Sequence, residues 1–117
     1  MLNFLRSAPR LSAAEAVARV KSGAMTLIDV RDHGELAATG RAEGAIHVPL
    51  TVLRMKCDPS SPECLPELST ARPVAVYCAS GGRSQVAVQM LTSLGYREVH
   101  NIGGLFDWQA AGGAIMR

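Results

Sequence analysis

The sequence predicts an α/β fold in which a mostly parallel sheet carries helices on both faces, and three observations support that expectation. Residues 26–30 (TLIDV) and 74–77 (VAVY) read as buried strands. Segments at helical spacing lie between the strand candidates, and strands separated by short helices imply parallel crossovers with both faces covered. Hydrophobic residues make up 48% of the 117 and charged residues 19%, which is a globular composition. Aromatics are only 4%, so the core must be built from Val, Leu, Ile, Ala and Met.

The elements follow in order. Ser12-Ala13-Ala14-Glu15 is a capping box that opens a helix, with Val17 and Val20 able to face the core and Gly23 as terminator. The strand at 26–30 runs into a polar turn, Arg31-Asp32-His33-Gly34, and residues 35–38 make a short helix at best. Residues 45–48 read as a short strand stopped by Pro49. Residues 56–73 hold Pro59, Pro62, Pro66 and Pro73 and read as a loop with one short helix around 62–69. After the strand at 74–77 a glycine-bearing turn leads into a helix over 83–94, with Val86, Ala87, Met90, Leu91 and Leu94 on one face and Gly95 as its cap. Residues 98–102 form another strand, broken by Gly103-Gly104, and residues 105–111 form a last amphipathic piece in which Trp108 and Phe106 are read as core.

One domain spanning residues 1–117 fits this length. The net charge is +2 and no basic run exceeds a pair, which argues against a nucleic-acid surface. No stretch approaches the ~18 apolar residues of a membrane span, and residues 1–16 lack the apolar run of ~7–15 residues that a signal peptide needs. The expectation is a cytoplasmic protein with no nucleic-acid or membrane partner. The three cysteines, Cys57, Cys64 and Cys78, are an odd number, so a disulfide framework would leave one over. Free thiols are the default in a reducing compartment, and the question becomes which of them is reactive.

The informative stretch is 74–94. It sets Cys78 at the end of a buried strand, follows it with Ala79-Ser80-Gly81-Gly82, and starts a helix with Arg83-Ser84. Open α/β sheets bind ligands at the carboxyl ends of their strands. Small residues let the loop curl and turn its amides inward, and the helix adds its free N-terminal amides and the positive end of its dipole. A cysteine so placed ionises readily, with a pKa of roughly 3.5–7.5, and needs no histidine beside it. Arg83 adds a cation at the rim that could hold an anionic donor by paired hydrogen bonds, and Ser84 could cap the helix or donate to the sulfur. A strand-ending cysteine alone would read as a buried core thiol; the glycine pair, the arginine and the immediate helix reverse that. Tyrosine-phosphatase-type loops carry one residue more between Cys and Arg than the four found here, and the smaller ring suits one sulfur atom better than a tetrahedral phosphate or arsenate.

The loop Cys78-Ala79-Ser80-Gly81-Gly82-Arg83-Ser84 resembles that of the rhodanese family, whose pattern is Cys, two residues, Gly, one residue, Arg. Leu27-Ile28-Asp29-Val30-Arg31, Glu43-Gly44-Ala45-Ile46-His47-Val48-Pro49, and Asn101-Ile102-Gly103-Gly104 with the Trp108 helix resemble three further family segments, in the same order. The resemblance implies a central, mainly parallel five-stranded sheet flanked by helices, and a two-step sulfur transfer. Cys78 would be the nucleophile that takes the outer sulfur of a donor such as thiosulfate. The amides of Ala79, Ser80, Gly81, Gly82, Arg83 and Ser84 would hold the persulfide, with Arg83 binding the donor anion. A small anionic sulfur donor, a thiol or cyanide acceptor, and a protein acting as donor or acceptor are the implied partners; no metal or organic cofactor is implied. The alternatives are a non-catalytic binding or regulatory module of the same fold, and a phosphatase or arsenate reductase.

The Pro-rich segment with Cys57 and Cys64 is no part of the family pattern. These two thiols are open to a local disulfide, to resolving roles that collect sulfur from Cys78, or to the favoured reading of loop thiols without function; two ligands are too few for zinc. Asp29 and Arg31 are read as an ion pair that holds the turn, in preference to a pocket role. His33, His47 and His100 lack metal-ligand spacing.

Overall fold

The computed structural model describes residues 11–117. The expectation that the N-terminus lacks a signal-peptide run falls largely outside this range. The first helix, α1 (Ala13–Lys21), opens on the expected capping box: Ser12 Oγ accepts from the Glu15 amide at 3.1 Å and Glu15 Oε1 from the Ser12 amide at 2.9 Å. Then come β1 (Thr26–Asp29), α2 (His33–Thr39), β2 (Arg41–Ala42), β3 (Ile46–His47), a 3₁₀ turn (Leu50–Val52), α3 (Leu53–Cys57), β4 (Val74–Cys78), α4 (Gly82–Ser93), β5 (Val99–Gly104), α5 (Leu105–Ala110) and β6 (Ile115–Met116).

Four strands form a parallel sheet in the order β3-β1-β4-β5, while β2 and β6 pair antiparallel apart from it. The sheet is mostly parallel as expected, but it has four strands among the described residues rather than five. The two extra strands are two residues each, too short to show alternation in a sequence. Strand pleating sends alternate residues to opposite faces, and the core divides accordingly. Val74, Val76 and Cys78 of β4 join Ile28, Leu53, Ala87 and Leu91 on the α3–α4 face. Ala75 and Tyr77 join Leu27, Ala16, Val17 and Trp108 on the α1–α5 face. Cys78 therefore turns toward the start of α4.

Several local expectations need correction. Residues 62–69 hold turns and no helix, while α3 ends on Cys57, which is a buried core residue and not a loop thiol. Phe106 is 77% exposed, whereas Trp108 is core as expected. Val86 is also exposed, because the buried stripe of α4 is the narrower Ser84, Ala87, Leu91. Helix α2 starts two residues earlier than expected because Glu35 Oε1 accepts from the Asp32 amide at 3.0 Å, half of a capping box that Asp32-x-x-Glu35 spells out. Strand β5 runs through Gly103-Gly104 instead of stopping before them. No described helix is long and apolar enough to cross a membrane.

A buried polar cluster ties the strand ends together. Asp29 accepts from the Arg31 amide at 2.9 Å, from the Arg31 guanidinium at 2.8 and 3.0 Å, and from the Tyr77 hydroxyl at 2.6 Å. Arg31 donates onward to Thr39 Oγ1 and to the Gly40 carbonyl, both at 2.8 Å, and Tyr77 Oη accepts from the Ala42 amide at 2.9 Å. The pair is structural, as expected, and it joins β1, α2, β2 and β4 beneath the carboxyl edge of the sheet. Removing one partner of a buried pair strands the other's charge and costs about 3–5 kcal/mol. Arg31→Met should lower unfolding free energy by about that amount in urea at neutral pH, and a loss below about 1 kcal/mol would show that the cluster is not a stability element.

Candidate active site

Cys78 ends β4 where the pairing with β5 becomes irregular, with Cys78 opposite Gly104. Gly104 is needed there: a Cβ at that position would collide with the Ala79 carbonyl, so only glycine lets the chain leave β4 in this direction. The backbone then turns through Gly81, at φ 104°, a left-handed conformation open to glycine and costly for other residues. That turn aims the Gly81 amide at the sulfur, and α4 begins immediately with Gly82.

The Gly81 amide donates to Cys78 Sγ at 3.0 Å and the Ser84 amide donates at 3.4 Å. Ser84 Oγ lies 3.4 Å from the sulfur and donates to Asn101 Oδ1 at 2.7 Å. With its proton on Asn101, the Ser84 hydroxyl accepts from the Cys78 thiol; once the sulfur ionises, the same proton can turn to it. Asn101 also donates to the Gly81 carbonyl at 3.0 Å and accepts from the Gly103 amide at 2.9 Å, which pins the loop to β5.

Cys78 is only 1% exposed, and burial pushes its thiol up. The Ser84 hydroxyl, the Ser84 and Gly81 amides and the Ser80 amide outweigh that and bring it down to about 7. Cys57 shows the opposite balance: burial, with Cys64 nearby, pushes it up to about 12. Only one of these two buried thiols has donors turned toward it.

The remaining loop residues differ in role. Ala79, Ser80 and Gly82 are exposed, so the sulfur lies just below a surface of small side chains. A cleft of about 550 Å³ flanks Ala79, with Phe106 and Arg117 on its walls. A second cleft, about 720 Å³, lies toward His33, His47 and Lys56 and includes no residue of the loop. Arg83 stands at the rim as expected but is not free: Nη1 and Nη2 donate to the two oxygens of Glu35 at 2.7 and 2.8 Å. Sequence reasoning missed Glu35 and Asn101 as site residues. The reading of residues 31–34 as a polar turn passes over the Asp32-x-x-Glu35 cap signal, and nothing local links position 35 to 83 or 101 to 84. His33 and His47 meet edge to face with ring centres 4.7 Å apart, although their positions in the chain suggested no relation.

The Rhodanese-like domain model matches residues 12–111. The chain belongs to the rhodanese-like family. Among relatives, this rhodanese-like chain is 31% identical over 98 residues to the thiosulfate sulfurtransferase GlpE of Tolumonas auensis, covering 84% of each chain. It is 31% identical over 112 residues to the human thiosulfate:glutathione sulfurtransferase, covering 89% of this chain and 96% of that one. Among solved structures, a Rhodopseudomonas palustris protein described as a possible tyrosine phosphatase superposes with a TM-score of 0.80 at 34% identity, over 92% of this chain and 83% of that one. A human single-domain sulfurtransferase superposes with a TM-score of 0.72 at 27% identity, over 92% and 100%.

Ser84→Ala removes the hydroxyl from the sulfur while keeping the Ser84-position amide. Alkylation of Cys78 by iodoacetamide should rise with pH about a midpoint near 7 in the unaltered protein, and the midpoint should move up by about one pH unit in the variant. An unchanged midpoint would mean that the hydroxyl does not help to hold the thiolate.

Proposed function

We propose that the protein is a sulfurtransferase that carries sulfane sulfur as a persulfide on Cys78. The observation that carries this reading is the set of donors converging on one buried sulfur, which favours an anion there, whether thiolate or persulfide. Membership of the rhodanese-like family and the sulfurtransferase names of two relatives support it.

In the first half-reaction the Cys78 thiolate attacks the outer sulfur of a donor such as thiosulfate. The Cys78 S–S bond forms, the donor's S–S bond breaks, and sulfite leaves with the electron pair. In the second, a thiol or cyanide attacks the outer persulfide sulfur, and Cys78 departs as the thiolate. With a thiol the product is a new persulfide; with cyanide it is thiocyanate. The loop from Ala79 to Ser84 supports both steps: the amides of Gly81 and Ser84 and the Ser84 hydroxyl stay in place while the charge moves outward by one sulfur atom, so little reorganisation is needed. Asn101 is a positioning residue that acts through Ser84 and Gly81. A protein carrying a persulfide or an acceptor thiol could serve in place of a small molecule.

A phosphate-ester reading has one observation in its favour, the description of the Rhodopseudomonas palustris relative. Against it, the loop gathers its donors on a single atom, and both terminal nitrogens of Arg83, which would have to grip a phosphate, are held by Glu35.

Mass spectrometry after thiosulfate treatment tests the reading. One added sulfur atom on Cys78, removable by cyanide and absent in Cys78→Ser, is the expected result. A folded protein that gains no sulfur on Cys78, or one that hydrolyses a phosphate ester in a Cys78-dependent way, would overturn it. With pH, the rate of sulfur uptake should climb through about 7 and level off as the thiolate population saturates.

A further inference from the structure

Arg83 is the cation nearest the reacting loop in sequence, and its charge is already matched. Glu35 reaches it from α2 across the carboxyl edge of the sheet, two oxygens on two nitrogens at 2.7 and 2.8 Å. Glu35 is itself held, because its Oε1 also accepts from the Asp32 amide at 3.0 Å. The fork geometry and this third hydrogen bond distinguish the pair from a loose surface contact. Asp32 adds a second carboxylate whose field acts on Arg83, and Arg83 in turn feels the charge of Cys78. The rim therefore carries one cation facing two carboxylates. Two further guanidiniums lie near: Arg31 is buried and spent on Asp29, and Arg117, on the wall of the cleft that flanks Ala79, donates to the Ala38 carbonyl at 3.3 Å.

This matters for the first half-reaction, on whose reading the inference rests. A thiolate attacking thiosulfate brings one negative charge onto a dianion. A thiolate attacking a perthiol, R–S–SH, meets a neutral outer sulfur. The Cys78 S–S bond forms, the R–S bond to that sulfur breaks, R–S⁻ leaves with the pair, and the proton stays on the transferred sulfur. A free arginine at the rim would erase much of the difference between the two donors; a neutralised one preserves it.

We propose that Glu35 is a specificity-determining residue: by holding Arg83 in a two-toothed ion pair it withholds that cation from the donor and steers the site toward alkyl persulfides over thiosulfate. Glu35 touches no reacting atom and acts through Arg83.

The test compares thiosulfate with cysteine persulfide, whose ammonium and carboxylate cancel, as donors for the full chain, reading KM and kcat separately. Glu35→Gln keeps Oε1 for the Asp32 amide, so the start of α2 survives, while Arg83 loses the opposing charge and the Oε2 acceptor. It should lower the KM for thiosulfate about tenfold and leave that for cysteine persulfide within about twofold, with kcat little changed. Arg83→Gln should raise the thiosulfate KM by a similar factor. The double variant Glu35→Gln/Arg83→Gln restores a neutral rim and should return to within about twofold of the unaltered protein. A thiosulfate KM that does not fall in Glu35→Gln, a fall shared equally by both donors, or a double variant that matches Glu35→Gln would each overturn the assignment. These outcomes are separable from failure of the sulfur-transfer reading, in which the unaltered protein would form no Cys78 persulfide with either donor.

Discussion

A sulfur atom 1% exposed at the end of a central strand would keep its proton if burial alone decided the matter. Cys57, buried in the same molecule, does so, pushed up to about 12. What separates Cys78 from it is the direction in which a few N–H and O–H groups point. The Gly81 amide at 3.0 Å, the Ser84 amide at 3.4 Å and the Ser84 hydroxyl at 3.4 Å meet on the one sulfur, and together with Ser80 they reverse the effect of burial. Each is worth little alone. In a site closed to water they act together, and none has to move when charge arrives.

The rest of the fold keeps those donors aimed. Pleating of β4 sends Cys78 to the α4 face and Tyr77 to the other, so the thiol and its structural neighbour do not compete for space. Tyr77, Asp29 and Arg31 lock the strand ends below, and Asn101 with Gly104 locks β5 against the loop above. The dipole of α4, twelve residues long, points its positive end at the same place. A stable sheet edge and a tight loop thus hold one atom between them, and the charge on that atom is the quantity they jointly set.

What could be read in advance follows from distance along the chain. The loop from Cys78 to Ser84 was legible because its donors, its turn glycine and its helix are contiguous. So was the Asp29–Arg31 pair, two residues apart. Glu35 lies 48 residues from Arg83 and Asn101 lies 17 from Ser84, and no periodicity connects them. The capping signal at Asp32-x-x-Glu35 was present and would have started α2 where it begins, but a cap does not announce a second partner. Val86 shares a face with the buried residues of α4 by helical spacing, which does not give the width of the covered stripe, and Phe106, two residues from the buried Trp108, falls on the other side of α5. The glycines at 103 and 104 read as a strand break, whereas they let β5 pass close to the loop.

The central claim, that converging donors outweigh burial at Cys78, can be measured without any substrate. Thiolate absorbance in the ultraviolet, recorded against pH for the native protein and for Cys78→Ala, gives the ionisation of this one thiol by difference. The account predicts a midpoint near 7. A midpoint at or above the roughly 8.5 of an ordinary cysteine would contradict it.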